Sequence, residues 1–275
     1  MAYRTIGTNG SVTSWGSANF YSTMLARLAS VSIDWDVDNG PVDVGALGTT
    51  YAASIPSLRS WRARLSAFAK LPTPVMGNLG RVVFSAGGYA LHVVGWTWTI
   101  ETTQVHDITN QSFSSPPTWR DHAPDMTRVY GTINAHADSD TAATNIAAIG
   151  DSSATLTLTY GDESTDDTLS GAAYLSALSG QVRRGGQNTL DYSFVSAGQW
   201  TPAGTSSPLG SSALGIPLWS QGGSAAGAIA WATLTGSRTV TGADSFWTRI
   251  SINCRVDQPT TVDVDIQGVG ALTYA

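Results

Sequence analysis

Tyr89-Ala90-Leu91-His92-Val93-Val94-Gly95-Trp96-Thr97-Trp98-Thr99-Ile100 is the stretch that sets the fold class. Trp96, Trp98 and Ile100 alternate with Thr97 and Thr99, the two-residue repeat of a strand with one buried face. The aromatic and β-branched content favours the same conformation. Just upstream, Val82, Phe84 and Ala86 alternate with polar Arg81 and Ser85 and run into Gly87-Gly88, a turn signal. Residues 154–160, 190–194 and 262–266 alternate in the same way. Many short strands between Gly-rich turns predict an all-β sandwich or barrel.

Helical spacing is scarce. Residues 141–149 follow Asp140, a good N-cap, and precede Gly150, a good C-terminal stop, which predicts one short helix. Residues 18–29 place Phe20, Met24, Leu25 and Leu28 at helical spacing. Residues 56–69 fit two patterns. Leu58, Trp61, Leu65 and Phe68 suit a helix, whereas Trp61, Ala63, Leu65 and Ala67 suit a strand.

The composition narrows the function classes. Of 275 residues, 42% are hydrophobic and only 12% charged, against roughly 25% charged in an average globular protein. Ten Trp in so uncharged a chain argue against disorder, and the missing charged heptads argue against a coiled coil. A net charge of −6 argues against binding DNA or an anionic membrane by phosphate neutralisation. With one cysteine, Cys254, neither a disulfide framework nor a multi-Cys zinc site fits within one chain. The first residues, Met1 to Gly7, lack an apolar core, so no secretory signal is expected. No run of about 18 apolar residues predicts a spanning helix.

Two Pro/Gly-rich stretches, 71–78 and 201–210, read as linkers. The pieces they separate resemble one another. Ala154-Thr155-Leu156-Thr157, Thr168-Leu169-Ser170-Gly171, Leu190-Asp191-Tyr192-Ser193-Phe194 and Ala197-Gly198 run in the middle piece. Ala232-Thr233-Leu234-Thr235, Thr239-Val240-Thr241-Gly242, Val262-Asp263-Val264-Asp265-Ile266 and Val269-Gly270 follow in the same order in the last. Val42-Asp43-Val44 followed by Arg59 to Ala67 parallels His106-Asp107-Ile108 followed by Arg128 to Ala135. The parallel favours a strand for at least part of 56–69. The repeat order predicts two related β domains: an outer one over 1–70 plus 211–275, and an inner one over 79–200 inserted into it.

Residues with chemical potential lack an organising motif. Asp34-Trp35-Asp36-Val37-Asp38-Asn39-Gly40 opens like a calcium loop, but Asn39 and Gly45 stand where that loop needs Gly and Glu. A strand with carboxylates on its wet face, ending in an Asn-Gly turn, fits better. His106-Asp107, His122 with Asp121 and Asp125, and His136 with Asp138 fit polar surface better than catalysis. Cys254 reads as a buried small hydrophobe. Trp96 and Trp98 read as core or, alternatively, as a flat platform for sugars. The acidic run 162–167 reads as a solvated loop tip, with an unspecific calcium site as the other reading. No catalytic, cofactor-binding or metal residue is expected, and no cofactor.

Gly95 to Ile100, then Val105-His106-Asp107-Ile108-Thr109, Thr118-Trp119-Arg120 and 126–137, followed by a second half closing through 262–266 into Gly268-Val269-Gly270-Ala271-Leu272-Thr273, resemble the major tail (tube) proteins of long-tailed bacteriophages. The resemblance covers most of 31–70 and 89–275 and leaves out the first thirty residues. It implies a β-sandwich flanked by a helix and subunits that close into rings. The rings stack into a hollow tube for genome delivery. With two domains per chain, it implies a trimer with pseudo-sixfold symmetry, or otherwise a hexamer. It further implies tape-measure and tail terminator proteins as partners, double-stranded DNA that passes without specific binding, and no membrane. The location it implies is the virion tail, after assembly in the host cytoplasm. A lone lysine, Lys70, leaves strand edges little charge protection, which suits edges completed by neighbours. Polar loops at 161–171 and 199–215 are expected to order on stacking, and an acidic lumen would repel phosphates. A carbohydrate-binding β-sandwich module of a virion or cell surface is the alternative, and an enzyme is disfavoured.

Overall fold

The computed structural model describes residues 10–15, 28–37, 41–43, 54–56, 58–68, 81–84, 89–90, 92–109, 122–124, 127–136, 154–160, 168–203, 227–233 and 236–274. Its strands, in chain order, are β1 (Gly10–Trp15), β2 (Leu28–Val37), β3 (Pro41–Asp43), β4 (Ser54–Pro56), β5 (Arg59–Phe68), β6 (Arg81–Phe84), β7 (Tyr89–Ala90), β8 (His92–Thr102) and β9 (Val105–Asp107). They continue with β10 (His122–Pro124), β11 (Thr127–His136), β12 (Ala154–Thr159), β13 (Thr168–Gln181), β14 (Thr189–Ala203), β15 (Gly227–Thr233), β16 (Gly236–Arg255) and β17 (Thr261–Tyr274). The described part is all β, as the alternating pattern predicts, and no helix occurs among the described residues. The helix expected at 141–149 lies outside them.

Thirteen strands form one antiparallel sheet, in the order β2-β5-β17-β16-β8-β11-β14-β13-β12-β6-β7, with β15 beside β16 and β1 beside β15. Two hairpins, β3-β4 and β9-β10, stand apart. The strands fall into two sets that trace the same path. One runs β2-β5-β17-β16-β15-β1, the other β8-β11-β14-β13-β12-β6. Each carries its detached hairpin between its first two strands in the path.

Irregularities recur as well. Ala29 is skipped where β2 pairs with β5, and Val94 where β8 pairs with β11. Thr248 is skipped between β16 and β17, and Ser176 between β13 and β14. A bulge bends its strand and sharpens the local twist. Both pairs of long strands carry a second shift, near Gly242 and near Gly171, so they bend twice.

Bending folds the sheet over itself. β8 and β12 are separated by four strand spacings in the order, about 19 Å in a flat sheet. The ring of Trp96 on β8 nevertheless lies 6.2 Å from that of Tyr160, which follows β12, in an edge-on contact. Trp98 meets Trp200 at 6.3 Å, and Phe194 stacks on Trp200 at 5.7 Å. Each such aromatic pair adds about 0.5–1.5 kcal/mol beyond burial. One apolar cluster gathers these rings with Trp61, Ile133, Leu156, Leu158 and the row Val262, Val264, Ile266.

The two patterns open for 56–69 resolve towards the favoured strand, and other expectations shift. Residues 59–68 form a strand, because β2 and β17 flank them and the alternation of Trp61 and Ala63 wins over the helical spacing. The proposed helix over 18–29 ends in Leu28 and Ala29, which belong to β2. Thr201 to Ala203 extend β14 opposite β13, so these three residues of the expected linker are strand, and the rest of it lies outside the described residues. Of the polar loops expected at 161–171 and 199–215, Thr168 to Gly171 and Gln199 to Ala203 are strand, and the remainder lies outside the described residues. The likeness of Ala154-Thr155-Leu156-Thr157 to Ala232-Thr233-Leu234-Thr235 is not the structural match. Pairing with Gly171 and Gly242 aligns Leu158 with Ile229 instead. The first thirty residues do contain a counterpart, because β1 pairs with β15 as β6 pairs with β12.

Gly171 tests the packing. A Cβ there would stand 2.5 Å from Trp200 Cγ, against the stacked ring pair. Gly171→Val is expected to cost about 1–3 kcal/mol in urea unfolding. Gly198→Ala, where a Cβ meets nothing within 4 Å, is expected to stay within about 0.5 kcal/mol.

Candidate assembly surface

The residues with ligand or acid–base chemistry are dispersed. His106 and Asp107 lie exposed on β9, and β10 places His122 in register with Asp107. The Asp107 carboxylate accepts from the Thr109 backbone N–H at 3.0 Å and from the Thr109 hydroxyl, a local turn. His136 ends β11 in register with His92. Asp34 and Asp36 sit on β2 opposite Arg62 and Ser60, on a strand as expected. Asp38, Asp121, Asp125, Asp138 and the run 162–167 lie outside the described residues. Among the described residues no three His, Cys, Asp or Glu side chains come together as a metal site. Trp96 and Trp98 are core, so they form no sugar platform.

The feature that sequence reading missed is the seam where the two strand sets meet. Residues 249–255 of β16 pair with 95–101 of β8, from Arg249 opposite Glu101 to Arg255 opposite Gly95. Beyond the strands, Val256 N–H donates to Val94 C=O at 2.9 Å. On the apolar face the seam joins Ile250, Ile252 and Cys254 to Ile100, Trp98 and Trp96, all buried. On the polar face the Thr99 and Ser251 hydroxyls share a hydrogen bond at 3.0 Å. Glu101 anchors this side. It accepts from Arg128 Nε at 2.8 Å and from the Tyr130 hydroxyl at 3.0 Å. The bond from Glu101 raises the Arg128 pKa further above its ordinary value. Burial, with help from Glu101, raises that of Tyr130. No local pattern marks Arg249 and Glu101 as partners, because they lie far apart in the chain.

Away from the core, the sheet presents a hydrophilic face of balanced charge. Glu101, Asp191, Asp263 and Asp265 are matched by Arg62, Arg64, Arg128 and Arg249. Arg64 Nε lies 3.5 Å from Asp265, and Arg62 Nε donates to Gln267 at 3.0 Å. An open cleft of about 690 Å³ crosses this face at the seam, lined by Arg62, Arg64, Glu101, Gln104, Arg249 and Asp265.

No protein-family model matches the chain, and no curated protein does. Solved structures are similar to it, among them two phage-type particles. One is a virion of a native gene transfer agent particle, at 11% identity and a TM-score of 0.33, covering 46% of this chain and 97% of that one. The other is the SPP1 tail tube, at 14% identity and a TM-score of 0.31, covering 48% and 80%.

Cys254 reports on the seam. Burial pushes its thiol above the ordinary value, as it does the Tyr192 hydroxyl. The folded state therefore holds both protons more tightly than the unfolded chain. That stability is complete below the ordinary thiol pKa and is lost as pH climbs towards the folded values. Urea midpoints are expected to fall between about pH 8 and pH 10, and Cys254→Ala is expected to flatten the fall. In the native protein a thiol reagent should label Cys254 far more slowly than in urea.

Proposed function

We propose that the chain is a structural subunit of a virion, and specifically a tail tube protein. What carries the reading is the repeated strand path, together with an apolar core on one side of the sheet and a bare hydrophilic face on the other. The two strand sets are two tube-type domains, the inner (79–203) inserted into the outer (1–70 plus 211–275). Units that join edge to edge with a constant bend close into a ring. Each chain brings two, so three chains make a ring of six positions, and rings stack into a tube.

The folded-over layer with β12 and β6 adds bulk to the apolar side, which favours placing that side outermost. The hydrophilic face then lines the channel. Ser, Thr and balanced charge offer passing duplex DNA no array of cations to hold it. Tape-measure and tail terminator proteins are the partners of such a tube. Its place is the tail of the virion, after assembly in the host cytoplasm. The carbohydrate reading loses its platform with the burial of Trp96 and Trp98.

Negative-stain microscopy of concentrated protein tests the function. Rings or tubes, with three chains per ring by mass, are the expected result, and a persistent monomer contradicts it. Asp191 and Asp263 occupy equivalent positions on the hydrophilic face of the two sets. In a virion, Asp191→Arg with Asp263→Arg is expected to slow genome ejection while tube shape is kept. Unchanged ejection kinetics would remove these carboxylates from the channel.

A further inference from the structure

The two strand sets are equivalent in path but not in what lies beside them. β8 pairs on one side with β11 and on the other with β16. Its counterpart β2 pairs with β5 and, among the described residues, has no strand on its other side. β16 divides one side between β15, along 236–242, and β8, along 249–255. Its counterpart β13 pairs with β12 along 168–173, and among the described residues nothing pairs with 174–181 on that side. Each half of the seam thus recurs once in the chain without its mate.

We propose that these two vacant borders are mates: β2 of one copy pairs antiparallel with the end of β13 of the next copy, as β8 pairs with β16 inside each chain. The recurring bulges set the register. Ala29 matches Val94, so Ser30, Val31, Ile33 and Trp35 match Gly95, Trp96, Trp98 and Ile100. Ser176 matches Thr248, so Leu178, Gly180 and Val182 match Ile250, Ile252 and Cys254. Translating the seam puts Val31 opposite Val182, Ile33 opposite Gly180, Trp35 opposite Leu178, and Ser32 opposite Gln181.

Exposure supports the match. Ile250 and Ile252 are 0% exposed and Cys254 is 1%, under the cover that β8 completes. Their counterpart Val182 is 85% exposed, Gly180 is exposed, and Leu178 is only half-buried. The turn beyond the strand is also preformed. Gln258 N–H donates to Arg255 C=O at 3.1 Å, and at the matching place Gly186 N–H donates to Arg183 C=O at 3.2 Å, with Gly185 at φ 74°. Arg184 N–H therefore holds the place of Val256 N–H and is assigned to Ala29 C=O of the neighbour. A ten-residue edge such as β2 is long enough to template strand addition.

The contact is head-to-tail, so it closes a ring or continues as a helix, and every added chain contributes two units. The interface rests on the edge-to-edge joining of the tube reading and adds which edges meet and in what register.

Oxidised Ser32→Cys/Gln181→Cys protein tests the register, with buried Cys254 kept. Facing residues of an antiparallel pair are close enough for a disulfide. Asp36→Cys/Gln181→Cys, displaced by four residues or about 13 Å, is the off-register control. The expected result is a ladder of covalent oligomers on a non-reducing gel for the first pair and little for the second. Equal yields, or a protein that stays monomeric, overturn the proposal. Val182→Lys touches an exposed position, so its thermal midpoint should match wild type while association is lost. Association at the wild-type level overturns the proposal. Linked rings that never stack reject the tube and keep the interface. Tubes without the Ser32–Gln181 link reject the interface and keep the tube.

Discussion

The pairing of β16 with β8 is the constraint on which the rest of the molecule depends. β16 has twenty residues and is flanked by β17 along most of them. Its other side is too long for β15 alone. Without β8, the backbone of 249–255 would face solvent, and Ile250, Ile252 and Cys254 would lose the cover that Trp96, Trp98 and Ile100 complete. An uncovered backbone border and an uncovered apolar row are separate costs, and one strand removes both. That is why two strand sets share one continuous sheet and one apolar cluster.

Among the described residues, the same arithmetic leaves two borders without a strand. A set offers one border that receives a strand and one that supplies a strand. Among the described residues, two sets joined once leave one of each, on β2 and along 174–181 of β13. Such a molecule is suited to addition of its own kind. The sparse charge fits this, since little in the sequence repels a second copy from the open edges.

Strands were legible where the alternation involved large residues. Trp96, Trp98 and Ile100 on β8, and Val262, Val264 and Ile266 on β17, announce their buried faces directly. The match of Leu190 to Phe194 with Val262 to Ile266 agrees with the ladders, because both segments pair in the same manner with β11 and β5. The Ala/Thr strings misled. Ala154-Thr155-Leu156-Thr157 and Ala232-Thr233-Leu234-Thr235 look alike, yet their registers are set by partner strands that a local comparison does not see. β1 was missed as a counterpart of β6 for a related reason: short strands share a position in the path and little in composition. Residues 59–68 carried two periodicities, and only the flanking strands decided between them. The seam lay beyond local reading altogether, because Arg249 and Glu101 are brought together by topology.

Amide hydrogen exchange, followed on the free chain and again after concentration drives association, isolates the pairing of these two borders between copies. In the free chain, β2 and 174–181 of β13 should exchange well ahead of β8 and 249–255 of β16. On association those two segments should slow to the rate of their counterparts, with no comparable change at β8 or at 249–255. Protection arising elsewhere, with β2 and the end of β13 still exchanging freely in the assembled state, would contradict it.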